Sequence, residues 1–141
     1  MHNDERGKAQ STQQPPTHYA KETTILGLLQ RRLIHATKNS LSGLQLAFKK
    51  EEAFRVETYL TLLALPAAWW IAYTLNEGLL LLSSVALVLI TELLNSAIEA
   101  TIDRVGLDYH ELSKQAKDIG SAAVFVAMIL AAITWLLILL I

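Results

Sequence analysis

Apolar positions run almost unbroken through three stretches of the chain, at about residues 58–75, 79–101 and 119–141. Roughly 20 helical residues cross the ~30 Å hydrocarbon layer of a bilayer, so each stretch predicts a transmembrane helix. The first, TYLTLLALPAAWWIAYTL, carries Pro66 and ends in Trp69, Trp70 and Tyr73, amphipathic rings that suit a headgroup boundary. Only Asn76, Glu77 and Gly78 separate it from the second stretch, which predicts an antiparallel hairpin, because open backbone finds no hydrogen-bond partners in lipid. Upstream, Leu26, Leu29, Leu33 and Ala36 recur at helical spacing, with Arg31, His35 and Lys38 on the opposite side. That pattern predicts an amphipathic helix lying on the membrane surface; a helix packed on another cytoplasmic element is the alternative. Residues 1–22 are polar and rich in Gln, Ser, Thr and Pro, too poor in apolar groups to bury a core, and read as a disordered tail. The expected fold is an all-α membrane protein, with residues 23–141 forming a single domain.

Lys and Arg cluster before the first span, at Arg31, Arg32, Lys38, Lys49, Lys50 and Arg55, and between the second and third, at Arg104, Lys114 and Lys117. By the positive-inside rule the N-terminal segment and the 102–118 connection are cytoplasmic, while residues 76–78 and Ile141 face the other side. Composition adds that 52% of the 141 residues are hydrophobic and the net charge is only −1, so no nucleic-acid partner is expected. With no cysteine, disulfides, cysteine-ligated zinc and thiol nucleophiles are excluded. Neither a P-loop, nor G-x-G-x-x-G, nor H-E-x-x-H occurs, so any phosphate binding rests on scattered Lys, Arg and helix ends.

The second span carries the feature that demands chemistry. Glu92, Asn95, Ser96, Glu99 and Asp103 fall at offsets 0, 3, 4, 7 and 11, within about a 100° arc of one helix. Counted from Gly78, Glu92 lies about 21 Å along the helix and Glu99 about 31 Å, one below the cytoplasmic boundary and one at it. An acid at the depth of Glu92 costs on the order of 2.5–3.5 kcal/mol. Desolvation raises a carboxyl pKa, which suits Glu92 to act as a general base toward a lipid hydroxyl. Glu99 is placed to help hold Mg²⁺, which takes one or two carboxylates plus substrate phosphates. Two alternatives stand beside this: a protonated Glu92 bonded to Asn95 or a neighbouring helix as packing glue, and an ion path in a proton-coupled transport subunit. Asp103 is equally a solvated boundary carboxylate.

Elsewhere, FKKEEAFRVE holds Glu51, Glu52 and Glu57 and reads on its own as a mixed-charge interfacial segment. The connection DYHELSKQAKDIGSAA brings Tyr109, His110, Lys114, Lys117 and Asp118 to the same boundary, where Asp118 can also complement the N-terminus of the third span. Gly120, Ala123, Ala127 and Ala131 form a small-residue stripe suited to close helix packing.

TELLNSAIEATIDRVG followed by YHELSKQAKDIGSAAV, with EEAFRVE upstream, closely resembles the signature of the small integral membrane diacylglycerol kinases of bacteria, over about residues 24–141. The resemblance implies a homotrimer of three-span subunits in the bacterial inner membrane, N-terminus cytoplasmic, with active sites where subunits meet. It implies transfer of the ATP γ-phosphoryl group to diacylglycerol among the membrane lipids, giving phosphatidic acid. By it Glu92 is the general base, with Asn95 in the catalytic stripe, and Glu51 and Glu99 are the Mg²⁺ carboxylates. Arg32, Asp108, Tyr109, His110, Lys117 and Asp118 match nucleotide-contacting positions. Asn39 stands where the family pattern has an aromatic nucleotide contact and is left out of the site. The same fold also serves undecaprenol kinases, whose local chemistry would be identical.

Overall fold

A computed structural model describes residues 25–140; the expected tail at 1–22 and the placement of Ile141 lie outside them. The described residues form four helices in sequence: α1 (Ile25–Lys50), α2 (Glu52–Ile71), α3 (Leu75–Val105) and α4 (Glu111–Leu140). Of the described residues, those up to Asn39 form one unit and those from Ser40 onward a second. In the first, Leu26, Leu29 and Leu33 are all at least half exposed, so the apolar face of α1 is uncovered within its own unit.

In the second unit α3 packs against both α2 and α4. The least exposed positions of α3, Leu81, Ser84, Val88 and Glu92, recur at steps of three and four, the spacing of a helix–helix seam. On α4 the matching stripe is Gly120, Val124 and Ala127. Ala123, expected in that stripe, is exposed: the seam follows a 3.5-residue step that selects position 124 instead. Ser84 is reconciled with burial by donating to Leu81 O at 2.7 Å. Outside the seam most large apolar side chains of α2, α3 and α4 are exposed, Trp69 and Trp70 at 88%. A surface of that kind belongs in lipid or against other apolar chains.

Among the described residues two helices, α3 and α4, are long and apolar enough to cross a membrane. At 31 and 30 residues they extend about 45 Å, longer than a ~30 Å hydrocarbon core. The stretch expected to span at 58–75 is helical only to Ile71. Its charged first turns leave Thr58–Ile71 apolar, about 21 Å of helix. The hairpin also falls earlier than expected. Thr74 caps α3, accepting from Glu77 N at 3.3 Å, while Glu77 Oε2 accepts from Thr74 N at 3.2 Å and Tyr73 N at 2.8 Å. This capping box, T-x-x-E, moves the connection to residues 72–74 and puts Asn76–Gly78 in the first turn of α3.

Candidate functional site

The site begins at the break between α1 and α2, where Glu51 is extended (φ −97°, ψ 117°) rather than helical. The bend leaves the last carbonyls of α1 without helical partners. Arg55 Nη1 supplies a donor, to Lys49 O at 3.0 Å and Phe48 O at 3.4 Å. Phe48 also meets Tyr59 edge to face, ring centroids 5.9 Å apart. The corner is therefore fixed from both sides, and Glu51 sits at its apex.

Glu51 lines one cleft, of about 370 Å³, together with Glu57 from α2, Glu92, Asn95, Ser96 and Glu99 from α3, and Ser121, Val124, Phe125 and Met128 from α4. Four of the expected site residues, Glu51, Glu92, Asn95 and Glu99, thus converge from two places in the sequence. Glu92 is only 6% exposed, and no hydrogen bond to it is formed among the described residues. It is not bonded to Asn95, as the packing-glue reading would have it: Asn95 Nδ2 donates to Glu99 Oε1 at 3.0 Å. Asn95 Oδ1 is buried without a donor and abuts Gly120, where a Cβ would collide with it. The bare backbone of Gly120 is what admits the Asn95 carboxamide between α3 and α4.

The structure adds Glu57, which the sequence reading left in a mixed-charge segment. Its Oε2 is buried and unbonded, and it shares the cleft with Glu92. The signal was periodicity: Phe54, Glu57, Thr61, Ala64 and Ala68 recur at steps of three and four, and all are at least partly buried.

The other expected residues lie elsewhere. Asp108, Tyr109 and His110 line a separate hollow between the end of α3 and the start of α4, with Ile102 and Ala116. Here His110 Nδ1 accepts from Leu112 N at 3.2 Å, capping α4. Tyr109 donates to Glu111 Oε2 at 2.8 Å, and that bond holds its hydroxyl above the usual phenol pKa. Asp118 is two turns inside α4 and bonded to Lys114, so complementing the helix N-terminus falls to Glu111 and His110 instead. Lys117 Nζ reaches Asp103 Oδ1 at 2.7 Å and ties α4 to α3, both side chains being partly exposed. Arg32 belongs to the 25–39 unit and is placed only within it.

Among the described residues no three His, Asp or Glu groups come together to hold a metal ion on their own. Glu51 and Glu99 on one cleft fit an ion of the Mg²⁺ type, which takes one or two carboxylates and completes its shell with phosphate oxygens and water.

Comparison with known proteins accords with this geometry. Residues 38–139 match the family described as prokaryotic diacylglycerol kinase. A diacylglycerol kinase of Escherichia coli (strain K12) is 52% identical over 108 residues, 77% of this chain and 88% of the relative. One from Haemophilus influenzae is 50% identical over 103 residues, 73% of this chain and 87% of the relative. One from Pseudomonas aeruginosa is 48% identical over 110 residues, 78% and 89% of the two chains. A long apolar α3 with a carboxylate stripe at one end, a second carboxylate at the α1–α2 corner and this level of identity have one common explanation: the chain belongs to the prokaryotic diacylglycerol kinase family.

Proposed function

We propose that this chain is an ATP-dependent lipid kinase that phosphorylates the hydroxyl of diacylglycerol to give phosphatidic acid. The observation that carries the reading is the cleft in which a buried, unbonded Glu92 stands beside Glu51, Asn95 and Glu99. Phosphoryl transfer asks mainly for positioning and charge neutralisation, so a site without a P-loop suffices. The lipid hydroxyl enters next to Glu92. Its O–H bond breaks as the new O–P bond forms, Glu92 takes the proton, the bond from the γ-phosphorus to the β,γ-bridging oxygen breaks, and ADP leaves. Asn95 holds the Glu99 carboxylate in place through their 3.0 Å bond. Glu51 and Glu99 would hold Mg²⁺, which when bound neutralises charge on the nucleotide phosphates.

Arg32, Asp108, Tyr109, His110, Lys117 and Asp118 serve the nucleotide in this reading. The hollows lined by Asp108–His110 and by Lys114 and Asp118 are distinct from the carboxylate cleft. That separation supports sites completed between subunits of a homotrimer. α2 is the remaining span, its short apolar stretch ending in the aromatic Trp69 and Trp70, with Tyr73 just beyond it. The Lys/Arg distribution supports a bacterial inner-membrane protein with a cytoplasmic N-terminus.

The test is transfer of labelled γ-phosphate from Mg·ATP to diacylglycerol in mixed micelles, with Glu92→Gln alongside and undecaprenol as a competing acceptor. Label in phosphatidic acid that disappears in the variant supports the proposal. Preference for the polyprenol, or no lipid label from a folded oligomer, overturns it.

A further inference from the structure

One helical turn outward from the carboxylate cleft, a charged contact joins α3 to α4. The two helices follow one another in the chain and pack together, α3 running toward the cytoplasmic end and α4 away from it. Glu99 is the last residue of α3 to line the cleft, and Ser121 the first of α4. Asp103 lies four residues beyond Glu99 and Lys117 four before Ser121, so each continues the cleft-facing side of its helix by one turn, about 6 Å nearer the cytoplasm. There Lys117 Nζ donates to Asp103 Oδ1 at 2.7 Å. The tie therefore crosses from helix to helix just above the cleft, and neither residue lines it.

A lysine in this place has two carboxylates to choose from. Residues four apart on a helix bring their Cβ atoms within ~5–6 Å, and an ammonium on a flexible four-carbon stem can swing from one to the other. The bond to Asp103 is what chiefly raises the Lys117 pKa above the ordinary lysine value, and the charge of Glu99 adds to it, so the field of Glu99 reaches the ammonium. Glu99 has one partner already, Asn95 Nδ2, which donates to its Oε1 at 3.0 Å. An ammonium moved onto the same carboxylate would compete directly with a cation for its oxygens. Pairing with Asp103 prevents that at no loss to the cleft.

We propose that Asp103 is a positioning residue: by holding the Lys117 ammonium one turn outward of Glu99, it keeps Glu99 open to the metal and the ammonium ready for the nucleotide phosphates. The proposal rests on the lipid-kinase reading above, in which Glu99 serves the cation and Lys117 the nucleotide. An ammonium has three donors, of which the Asp103 bond takes one and leaves two for phosphate oxygens. A stem already held in place also loses less rotamer freedom when the nucleotide arrives. Asp103 itself touches neither substrate nor metal in this scheme; it acts through Lys117.

The experiment is calorimetric titration of the full chain in micelles with the Mg²⁺ complex of a non-hydrolysable ATP analogue, for wild type, Asp103→Ala, Asp103→Glu, Lys117→Met and the double variant Asp103→Ala/Lys117→Met. The expected result is a Kd raised at least about fivefold by Asp103→Ala and returned to within about twofold of wild type by Asp103→Glu, with the KM for diacylglycerol within about twofold throughout. With Lys117→Met present, Asp103→Ala should change the Kd by less than about twofold, because the residue acts only through the lysine. If alanine disrupts the oligomer, Asp103→Asn is read the same way. An unchanged Kd in Asp103→Ala overturns the proposal, since the tie would then serve the fold alone. A tighter Kd also overturns it, since Asp103 would then merely compete with the phosphates for the ammonium, and so does a full loss that persists once Lys117 is gone. Failure of the kinase reading looks different, since the wild type would then transfer no label to the glycerolipid.

Discussion

Gly120→Ala offers a demanding check on the site, because it adds one methyl group at a place with no room for it and names the group that must move. The added Cβ runs into Asn95 Oδ1, lies 3.4 Å from Asn95 Cγ, and otherwise comes no closer than 3.8 Å, to Ile98 Cδ1. The obstacle is the end of a short side chain and not backbone, so the α3–α4 seam can stay where it is while Asn95 rotates. Rotation breaks the 3.0 Å bond from Asn95 Nδ2 to Glu99 Oε1. A hydrogen bond to a charged group is worth ~1.5–3 kcal/mol, and partial exposure of this pair favours the lower end. A carboxylate released from that constraint should raise the KM for Mg·ATP about tenfold. Global stability should fall by only about 1–2 kcal/mol, since alanine is ~1 kcal/mol better than glycine inside a helix and partly offsets the lost hydrogen bond and the ~0.5–1.5 kcal/mol of an unfavourable Asn95 rotamer. The assay is therefore steady-state kinetics with Mg·ATP and diacylglycerol varied separately, beside thermal unfolding in the same micelles. A double-mutant cycle completes it: with Asn95→Ala present, Gly120→Ala should add less than ~0.5 kcal/mol. A wild-type KM for Mg·ATP in Gly120→Ala, or a full penalty that persists once Asn95 is gone, would refute the reasoning.

Three further outcomes are expected. Glu92→Gln should lower kcat by ~100-fold or more while leaving nucleotide binding, measured by equilibrium titration, within about twofold, because general-base catalysis contributes ~10²–10⁴. Asp103→Asn should cost less than ~1 kcal/mol in unfolding experiments, with the loss shrinking at high salt, because the Lys117–Asp103 pair is partly exposed; a loss above ~2 kcal/mol would show that the tie between α3 and α4 is structural. Thr74→Ala should destabilise the protein by ~1 kcal/mol through loss of the α3 cap, with KM values for both substrates unchanged.

Most of the second unit was legible because its physics is local. A carboxylate at position 92 in an apolar run is expensive wherever the rest of the chain lies, and its continuation through Asn95 and Glu99 follows from helical spacing alone. The capping box at Thr74–Glu77 was equally present in the sequence, but an apolar run read through Leu75 concealed it, and the hairpin was placed several residues late. Glu51 could not be promoted by its neighbours, since its place on the cleft depends on a helix break and on the reach of Arg55 back to the carbonyls of α1. The division of Asp108–His110, Lys117 and Asp118 among other surfaces is a tertiary fact, invisible to spacing along the chain.

Glu57 shows why the stripe and the chemistry should be considered together. On α3 the buried seam runs Leu81, Ser84, Val88 and then Glu92, so the proposed base occupies the position that the next packing residue would take. On α2 the stripe of Phe54, Thr61, Ala64 and Ala68 likewise accepts Glu57 in place of an apolar residue. Both carboxylates thus interrupt packing stripes at the same level of the helix layer and face one cleft. Below that level the stripes are mainly apolar, with only the hydroxyls of Thr61 and Ser84 between, and Thr61, Ala64 and Val88 line a nearly apolar furrow of about 190 Å³. The same 3.5-residue register that holds the helices together therefore sets the boundary between the polar chamber and the apolar furrow. A residue inserted between Glu57 and Ala64 would rotate the lower stripe by about 100° and separate the two. In the lipid-kinase reading, such an insertion should abolish use of long-chain acceptors while Mg·ATP binding survives, and retained turnover of dioleoylglycerol would show that chamber and furrow do not work as one site.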